Sequence, residues 1–425
     1  MKSDANPVYI LSSARVPFFK SQTVYNDVSR KDLMTASLEG LIQKAKLQGK
    51  LLGDVALGAV MNSSSDWNLA RECVLGSSLH PETPAYNTQR ACGTGLENIW
   101  QIALKSHTGA MDLGIAGGVD SNSDLPIEIS DGLQKILLNL NKAKTFGQKL
   151  KAVSAFSPKD LTPKTPTINE PRTKLSMGQH TELMVKEWKI SRQEQDEFAL
   201  KSHQNAAKAY DAGFYEDLVV PFQDSKKDGI VRADTSLEKL AKLKPAFDPQ
   251  KGTITAGNSS PLTDGSACVL VGNQKGADGT GLKPLARIVD VQVAAVDFVH
   301  GAGLLMAPTK AIARLLTRNQ LTPADFDYIE IHEAFAGQVL CNLKALESAD
   351  YCRDVLGLAS PIGPLDRSKI NQVGSSIALG HPFAATGARI AGTLAKLLST
   401  GGQKRGIISI CTAGGMGVAA ILESA

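Results

Sequence analysis

The chain has 425 residues, 43% of them apolar and 21% charged, with a formal net charge of +4. Such a chain supports two or three compact domains with sizeable cores, and its composition excludes a disordered or fibrous protein. The small net charge, with no basic stripe interleaved with aromatics, argues against nucleic acid as a partner, and no run reaches the ~20 apolar residues of a membrane span.

The first seven residues are polar, with neither an apolar signal core nor an Arg-rich transit pattern, so a cytoplasmic location is expected. Residues 8–11 predict the first strand. The stretch 89–95 (QRACGTG) then places Cys92 directly ahead of a helical run in which Leu96, Ile99, Trp100, Ala103 and Leu104 recur at helical spacing. A thiol there faces unpaired N–H groups and the positive end of the helix dipole, a setting expected to lower its pKa and favour a nucleophilic thiolate. The bland alternative is a small buried apolar residue. Residues 113–116 predict a buried strand that ends in Gly117 and Gly118.

Residues 121–250 have a different character. They are rich in Lys, Gln, Ser and Pro and poor in strand-like runs, and they read as a mainly helical insert. Inside it, 133–159 mixes apolar residues with Lys135, Lys142, Lys144, Lys149, Lys151 and Lys159 and contains no Asp or Glu. A basic amphipathic helix or helix pair of this kind suits an anionic membrane, a long acyl chain or a partner; it equally suits a helix packed on its own domain with its lysines in water. The first core is expected to resume after residue 251, with a strand at 268–271.

The second half repeats the first: a strand at 286–289, a Gly-His turn (Gly380-His381), a helix with Ile390, Leu394, Leu397 and Leu398 on one face, a strand at 407–410, and then Gly414-Gly415. Duplication is the preferred reading, and coincidence between α/β units the alternative. His332 follows the strand predicted at 328–331, and Cys411 closes the strand at 407–410. Ligands collect at such strand ends and helix starts in open α/β sheets. HExxH fails at its last position, where Ala336 stands, and the six cysteines have no metal-ligand spacing, so no metal is expected. Alone, His381 would pass as a core histidine and Cys411 as a buried strand-end thiol.

Together these stretches, with 242–247 (KLKPAF), 255–265 (TAGNSSPLTDG), 331–336 (IHEAFA), 371–389 (NQVGSSIALGHPFAATGAR) and 411–417 (CTAGGMG), resemble the thiolase family over nearly the whole chain. The resemblance implies a duplicated α/β fold, an αβαβα five-layer sandwich with an inserted loop domain. The cores would be residues 1–120 with 251–280, and 281–425, and the insert 121–250 would bind CoA and the acyl chain. It implies cleavage of 3-ketoacyl-CoA by CoA in fatty-acid oxidation, with CoA and acyl-CoA as substrates and no cofactor. Cys92 would be the nucleophile, His381 its base and Cys411 the second acid/base. One oxyanion site would use His381 and a water held by His332, and the other the N–H groups of Cys92 and Ala413.

Many thiolases have Asn at the position of His332. The His form resembles the β-subunit of the trifunctional fatty-acid oxidation complex, which suggests a hydratase/dehydrogenase partner; its charge is expected to vary near neutral pH. Ala413 stands where many members have Gly, and would be strained if φ were positive. Ser260 would meet the pantetheine arm, Met177 the acyl pocket, and Arg232 and Lys244 the nucleotide end, unless these two are solvated surface charges. A homodimer or homotetramer is expected. The rival activities are a short-chain acetoacetyl-CoA thiolase and a decarboxylating ketoacyl synthase.

Overall fold

The computed structural model describes residues 6–167 and 169–425. Its strands are, in the first half, β1 (Val8–Arg15), β2 (Phe19–Lys20), β3 (Asp54–Leu57), β4 (Ala85–Asn87), β5 (Leu113–Asp120) and β6 (Thr263–Asn273). The second half contributes β7 (Ala286–Ala295), β8 (Tyr328–Ile331), β9 (Arg405–Thr412) and β10 (Met416–Glu423). Each half has the same wiring. The order β3-β5-β6-β1 is matched by β8-β9-β10-β7, and in both the first pair is parallel and the next two antiparallel. That agreement in order and direction decides between duplication and coincidence in favour of duplication. The sheets of the two halves join where β1 pairs with β7, through Tyr9↔Arg287 and Ile10↔Ala286.

The strand period of two sorts the side chains into layers. Ile10, Val269, Val271, Ile408, Ile410, Val418 and Ala420 point into one shared core with Leu96, Ile99 and Ile102 of helix Thr94–His107 and with Ile390, Ala391 and Leu394 of helix Thr386–Gly401. Their strand neighbours Leu11, Ile115, Cys268 and Leu270 face helices Arg30–Ala45 and Leu69–Leu75 on the opposite side. In the second half Ile407, Ala419 and Ile421 face helices Ala307–Asn319 and Ala336–Glu347. The result is helix, sheet, central helices, sheet, helix: the five layers expected.

The two central helices meet backbone to backbone. A Cβ placed on Gly95 would lie 2.7 Å from the amide nitrogen of Ala388 and 2.8 Å from the carbonyl oxygen of Ala384, so only glycine permits the approach. Because Cys92 and His381 both stand just ahead of these helices, the same approach brings them together.

Between β5 and β6 the chain leaves the sheet and forms helices Asp131–Lys142, Phe146–Ser154, Met177–Glu187, Arg192–Asp211 and Leu237–Ala241. Thr145, Ser176 and Ser191 start three of them with reciprocal side-chain and backbone caps that satisfy the exposed first-turn N–H groups. The helix pair within 131–154 buries little: Leu137, Leu138, Phe146, Leu150 and Val153 are exposed.

Candidate active site

Cys92 sits on a tight elbow. Ala91 has φ +44°, a conformation that L-residues rarely adopt. Thr94 holds it there: its hydroxyl donates to the Ala91 carbonyl (2.7 Å) and accepts from the Arg90 N–H (2.8 Å), while the Gly93 N–H donates to the Arg90 carbonyl (3.0 Å). The helix begins at Thr94 with Gly93 as its cap residue, so the thiol stands two residues ahead of the first turn.

His381 comes to the elbow from the second half. Gly380, at φ +102°, turns the chain, and the His381 N–H donates to the Thr263 hydroxyl at 2.7 Å. The imidazole Nδ1 pairs with the Thr386 hydroxyl at 2.6 Å, which aims Nε2 at Cys92 Sγ, 3.2 Å away. Asp120, at the end of β5, accepts from Val60 N–H (3.0 Å), Met61 N–H (3.0 Å) and Ala384 N–H (2.9 Å), tying the loop after His381 to the first half. Burial raises the Asp120 pKa to about 6, against these three donors.

His332 follows β8, and its N–H donates to the Ser409 carbonyl at 2.8 Å. Its ring lies 4.0 Å from that of His381, centroid to centroid. Nδ1 pairs with the Ser376 hydroxyl (2.7 Å), which also accepts from the buried Arg389 guanidinium (2.7 Å); Nε2 is buried and has no hydrogen-bond partner among the described residues. Asn371 sets this turn in place by bonding to both backbone groups of Ile331 (2.8 and 2.9 Å) and to the Glu333 carboxylate (2.6 Å).

Cys411, the penultimate residue of β9, stands opposite Gly417 and is buried in an apolar cluster with Met184, Leu304, Leu305 and Phe335, against which Met177 packs. Its thiol takes an N–H from Ala334 and is close enough to Cys92 for a charge on one sulfur to oppose a charge on the other. The turn after it takes its left-handed conformation at Gly414 (φ +75°) and Gly415 (φ +67°), not at Ala413. Ala413 therefore carries no strain, and its N–H reaches the Cys92 sulfur.

Enclosure dominates the electrostatics. Burial pushes the Cys92 thiol up to about 12, and the N–H groups of Ala413 and Cys92 itself offset only part of that. The expected lowering by the helix start is thus corrected: desolvation outweighs the dipole. Burial also brings His381 down to about 3, assisted by the Arg389 charge. His332 is held well below its ordinary value by burial, then by His381 and Arg389, so its charge does not vary near neutrality as expected. Cys411 is raised by burial and by Cys92. The resting cluster is neutral: two thiols and two uncharged imidazoles. The 3.2 Å contact places His381 Nε2 where it can take the Cys92 proton directly.

Of the other residues singled out in the sequence, Ser260 lies beside the His332 turn, its hydroxyl donating to the Ala334 carbonyl at 3.1 Å. Arg232 and Lys244 are exposed and stand outside the buried cluster. Sequence reading missed the supports. Thr386, Ser376, Arg389 and Asn371 all lie within the matched stretch 371–389, where their polar character inside an apolar pattern was the available signal. Glu170 had none: it is buried in the insert, and its carboxylate accepts the Gly414 N–H at 2.7 Å, anchoring the turn that carries Ala413.

The family models "Thiolase, N-terminal domain" and "Thiolase, C-terminal domain" match residues 8–275 and 282–424. A 3-ketoacyl-CoA thiolase of Yersinia enterocolitica is 41% identical over 423 residues, covering 98% of this chain and 96% of the relative. Among solved structures, a Bacillus anthracis acetyl-CoA acetyltransferase superimposes with a TM-score of 0.82 at 30% identity, covering 99% of each chain. Human mitochondrial 3-ketoacyl-CoA thiolase in complex with CoA gives 0.81 at 29% identity, covering 99% of this chain and 98% of that one. With both family models matched end to end on a duplicated five-layer core, the chain belongs to the thiolase family.

Proposed function

We propose that this chain cleaves 3-ketoacyl-CoA with CoA, yielding acetyl-CoA and a shortened acyl-CoA, with Cys92 carrying the acyl group. The observation that carries the reading is the 3.2 Å contact from Cys92 Sγ to His381 Nε2, with the buried Cys411 thiol within electrostatic reach of Cys92. Relatives of similar length bear the same activity in their names.

In this reading Cys92 attacks the 3-keto carbon as its proton passes to His381. The tetrahedral oxyanion meets the N–H groups of Cys92 and Ala413. Collapse breaks the bond between C2 and C3, and the enolate of acetyl-CoA takes a proton from Cys411. Its oxygen meets His381 and a water on His332. CoA then enters and gives its thiol proton to Cys411. The CoA sulfur attacks the thioester, and Cys92 leaves and recovers its proton from His381. Every proton is returned. Residues 121–250 would hold CoA and the acyl chain, Ser260 on the pantetheine arm, Met177 on the acyl chain, Arg232 and Lys244 near the phosphates.

Thiolysis rates over a ladder of 3-ketoacyl-CoA lengths, with intact-mass detection of the acyl adduct, test this. An adduct on Cys92 that disappears in Cys92→Ser supports the reading; no adduct and no thiolysis at any length overturns it. The likeness to an acetyl-CoA acetyltransferase favours a short-chain activity as the second reading, and a ladder that peaks at its shortest member selects that one. A decarboxylating synthase would have no use for Cys411.

The exposed apolar side chains of the helix pair, beside Lys135, Lys142, Lys149 and Lys151, support docking on an anionic membrane surface. Salt-sensitive binding to anionic vesicles is expected; equal binding to neutral vesicles refutes it. A homodimer or homotetramer, and joint assembly with a hydratase/dehydrogenase, belong to the same proposal. So does a cytoplasmic location, which the six free thiols suit.

A further inference from the structure

The same pocket contains a donor set that acyl transfer does not exhaust. One ligand atom each from Cys92, His332 and His381 lie within 4.8 Å of one another. The Nδ1 atoms of both rings are occupied, by Ser376 at 2.7 Å and Thr386 at 2.6 Å. Hydroxyl partners of this kind fix the orientation of metal-bound imidazoles and leave Nε2 to the ion. The Nε2 of His332 is buried and unpartnered among the described residues. Cys92 is half-buried as a residue, whereas His332 and His381 are enclosed.

We propose that Cys92, His332 and His381 form a reversible binding site for a thiophilic divalent ion, with Zn²⁺ the best match. Sulfur and imidazole donors are the set that zinc prefers, and its bond lengths place such donors about 3.5 Å apart in a tetrahedron. The Cys92–His381 separation of 3.2 Å is already close to that. His332 must approach, and the rings, now 4.0 Å apart at 41°, must splay. The pocket therefore closes on an ion that arrives; it is not a permanent structural centre. Binding exchanges the Cys92 S–H proton, released to solvent, for a sulfur–metal bond, without redox change. The fourth position stays open for water or for an incoming thiol. With Asn in place of His332 only an amide would be offered, so the site belongs to the His form of the turn. The inference needs the geometry alone and does not rest on the acyl-transfer reading.

Titration of the reduced, metal-free full chain with Co²⁺ tests it. The expected result is one ion per chain with a thiolate-to-metal charge-transfer band and the intense visible bands of a tetrahedral site, displaced by Zn²⁺. Cys92→Ser should abolish the charge-transfer band, and Cys411→Ser should retain it. His332→Asn should weaken binding by roughly 100-fold or more, since loss of even an outer partner costs 10–100-fold. Folding of each variant is checked by circular dichroism. If His332→Asn fails to fold, the parent protein decides: Zn²⁺ must slow alkylation of Cys92 by iodoacetamide. A weak octahedral spectrum, equal affinity in Cys92→Ser, or alkylation indifferent to Zn²⁺ overturns the proposal. Failure of the acyl-transfer reading would appear only in the thiolysis assay.

Discussion

Gly95→Ala asks whether the approach of the two central helices sets the catalytic distance. The new methyl would stand 2.7 Å from the Ala388 nitrogen and 2.8 Å from the Ala384 carbonyl oxygen, both backbone atoms that cannot rotate away. Ordinary contact requires the helices to part by about 0.7 Å. The helix starts carry Cys92 and His381, so their 3.2 Å contact should lengthen by a similar amount. A displacement near 1 Å can cost roughly 100-fold in rate, so a loss of about 10–100-fold in acylation is expected. Stability should change less, because ~1–3 kcal/mol of overpacking is partly offset by up to ~1 kcal/mol of helix propensity. Single-turnover acylation of Cys92 and thermal unfolding measure the two effects separately. Gly279→Ala is the control: among the described residues nothing lies within 4 Å of its new methyl, and it should leave acylation unchanged. Acylation by Gly95→Ala at the parent rate would falsify the idea that this contact governs the thiol–imidazole distance.

Three further predictions address the charges and the supports. With the Cys92 thiol raised to about 12 and His381 lowered to about 3, the free enzyme holds a neutral pair. Alkylation of Cys92 should therefore keep rising with pH from 6 to 9, about tenfold per unit, as the thiolate fraction grows; a plateau near neutrality would reveal a preformed thiolate–imidazolium pair. Glu170→Ala removes the acceptor of the Gly414 N–H and frees the turn of Ala413. It should lower kcat by about 10-fold or more with KM little changed, short of the ~100-fold or greater loss of a whole oxyanion donor, and Glu170→Gln should restore most of it; equal losses in both variants would point to charge instead. Cys411→Ala should abolish exchange of the acetyl-CoA α-proton while the acyl adduct on Cys92 still forms from activated thioesters, and undiminished exchange would assign the acid/base role elsewhere.

The strands that carry the cluster were legible because they are short, largely apolar runs, two of them flanked by Gly117 and Gly406: residues 113–116, 328–331 and 407–410 fall within β5, β8 and β9. The turns were legible for a related reason. Gly380 and Gly414 occupy left-handed conformations that few other residues tolerate, so their glycines stand out before any coordinates exist. The protonation states were not legible. Position at a helix start argued for an acidic thiol, and an unperturbed imidazole at 332 argued for titration near neutrality. Both inferences failed because they counted local dipoles and charges and could not count the depth of burial. Glu170 failed for another reason: a carboxylate in a polar insert gives no sign of the N–H it will accept from a turn 244 residues away.

The order of apolar runs, glycines and polar turns therefore determined by itself that the chain is an α/β protein of two similar halves with reactive side chains at the ends of its strands and the starts of its helices, while the strand order of the fold decided that the likeness is duplication. These are properties of periodicity and backbone permission, which act over a few residues. Only the tertiary structure decided that Gly95 lets two helices from different halves touch, and so brings sulfur and imidazole within 3.2 Å. It alone decided that the site rests uncharged, because the free energy of ionising a group depends on how much water the whole fold leaves around it.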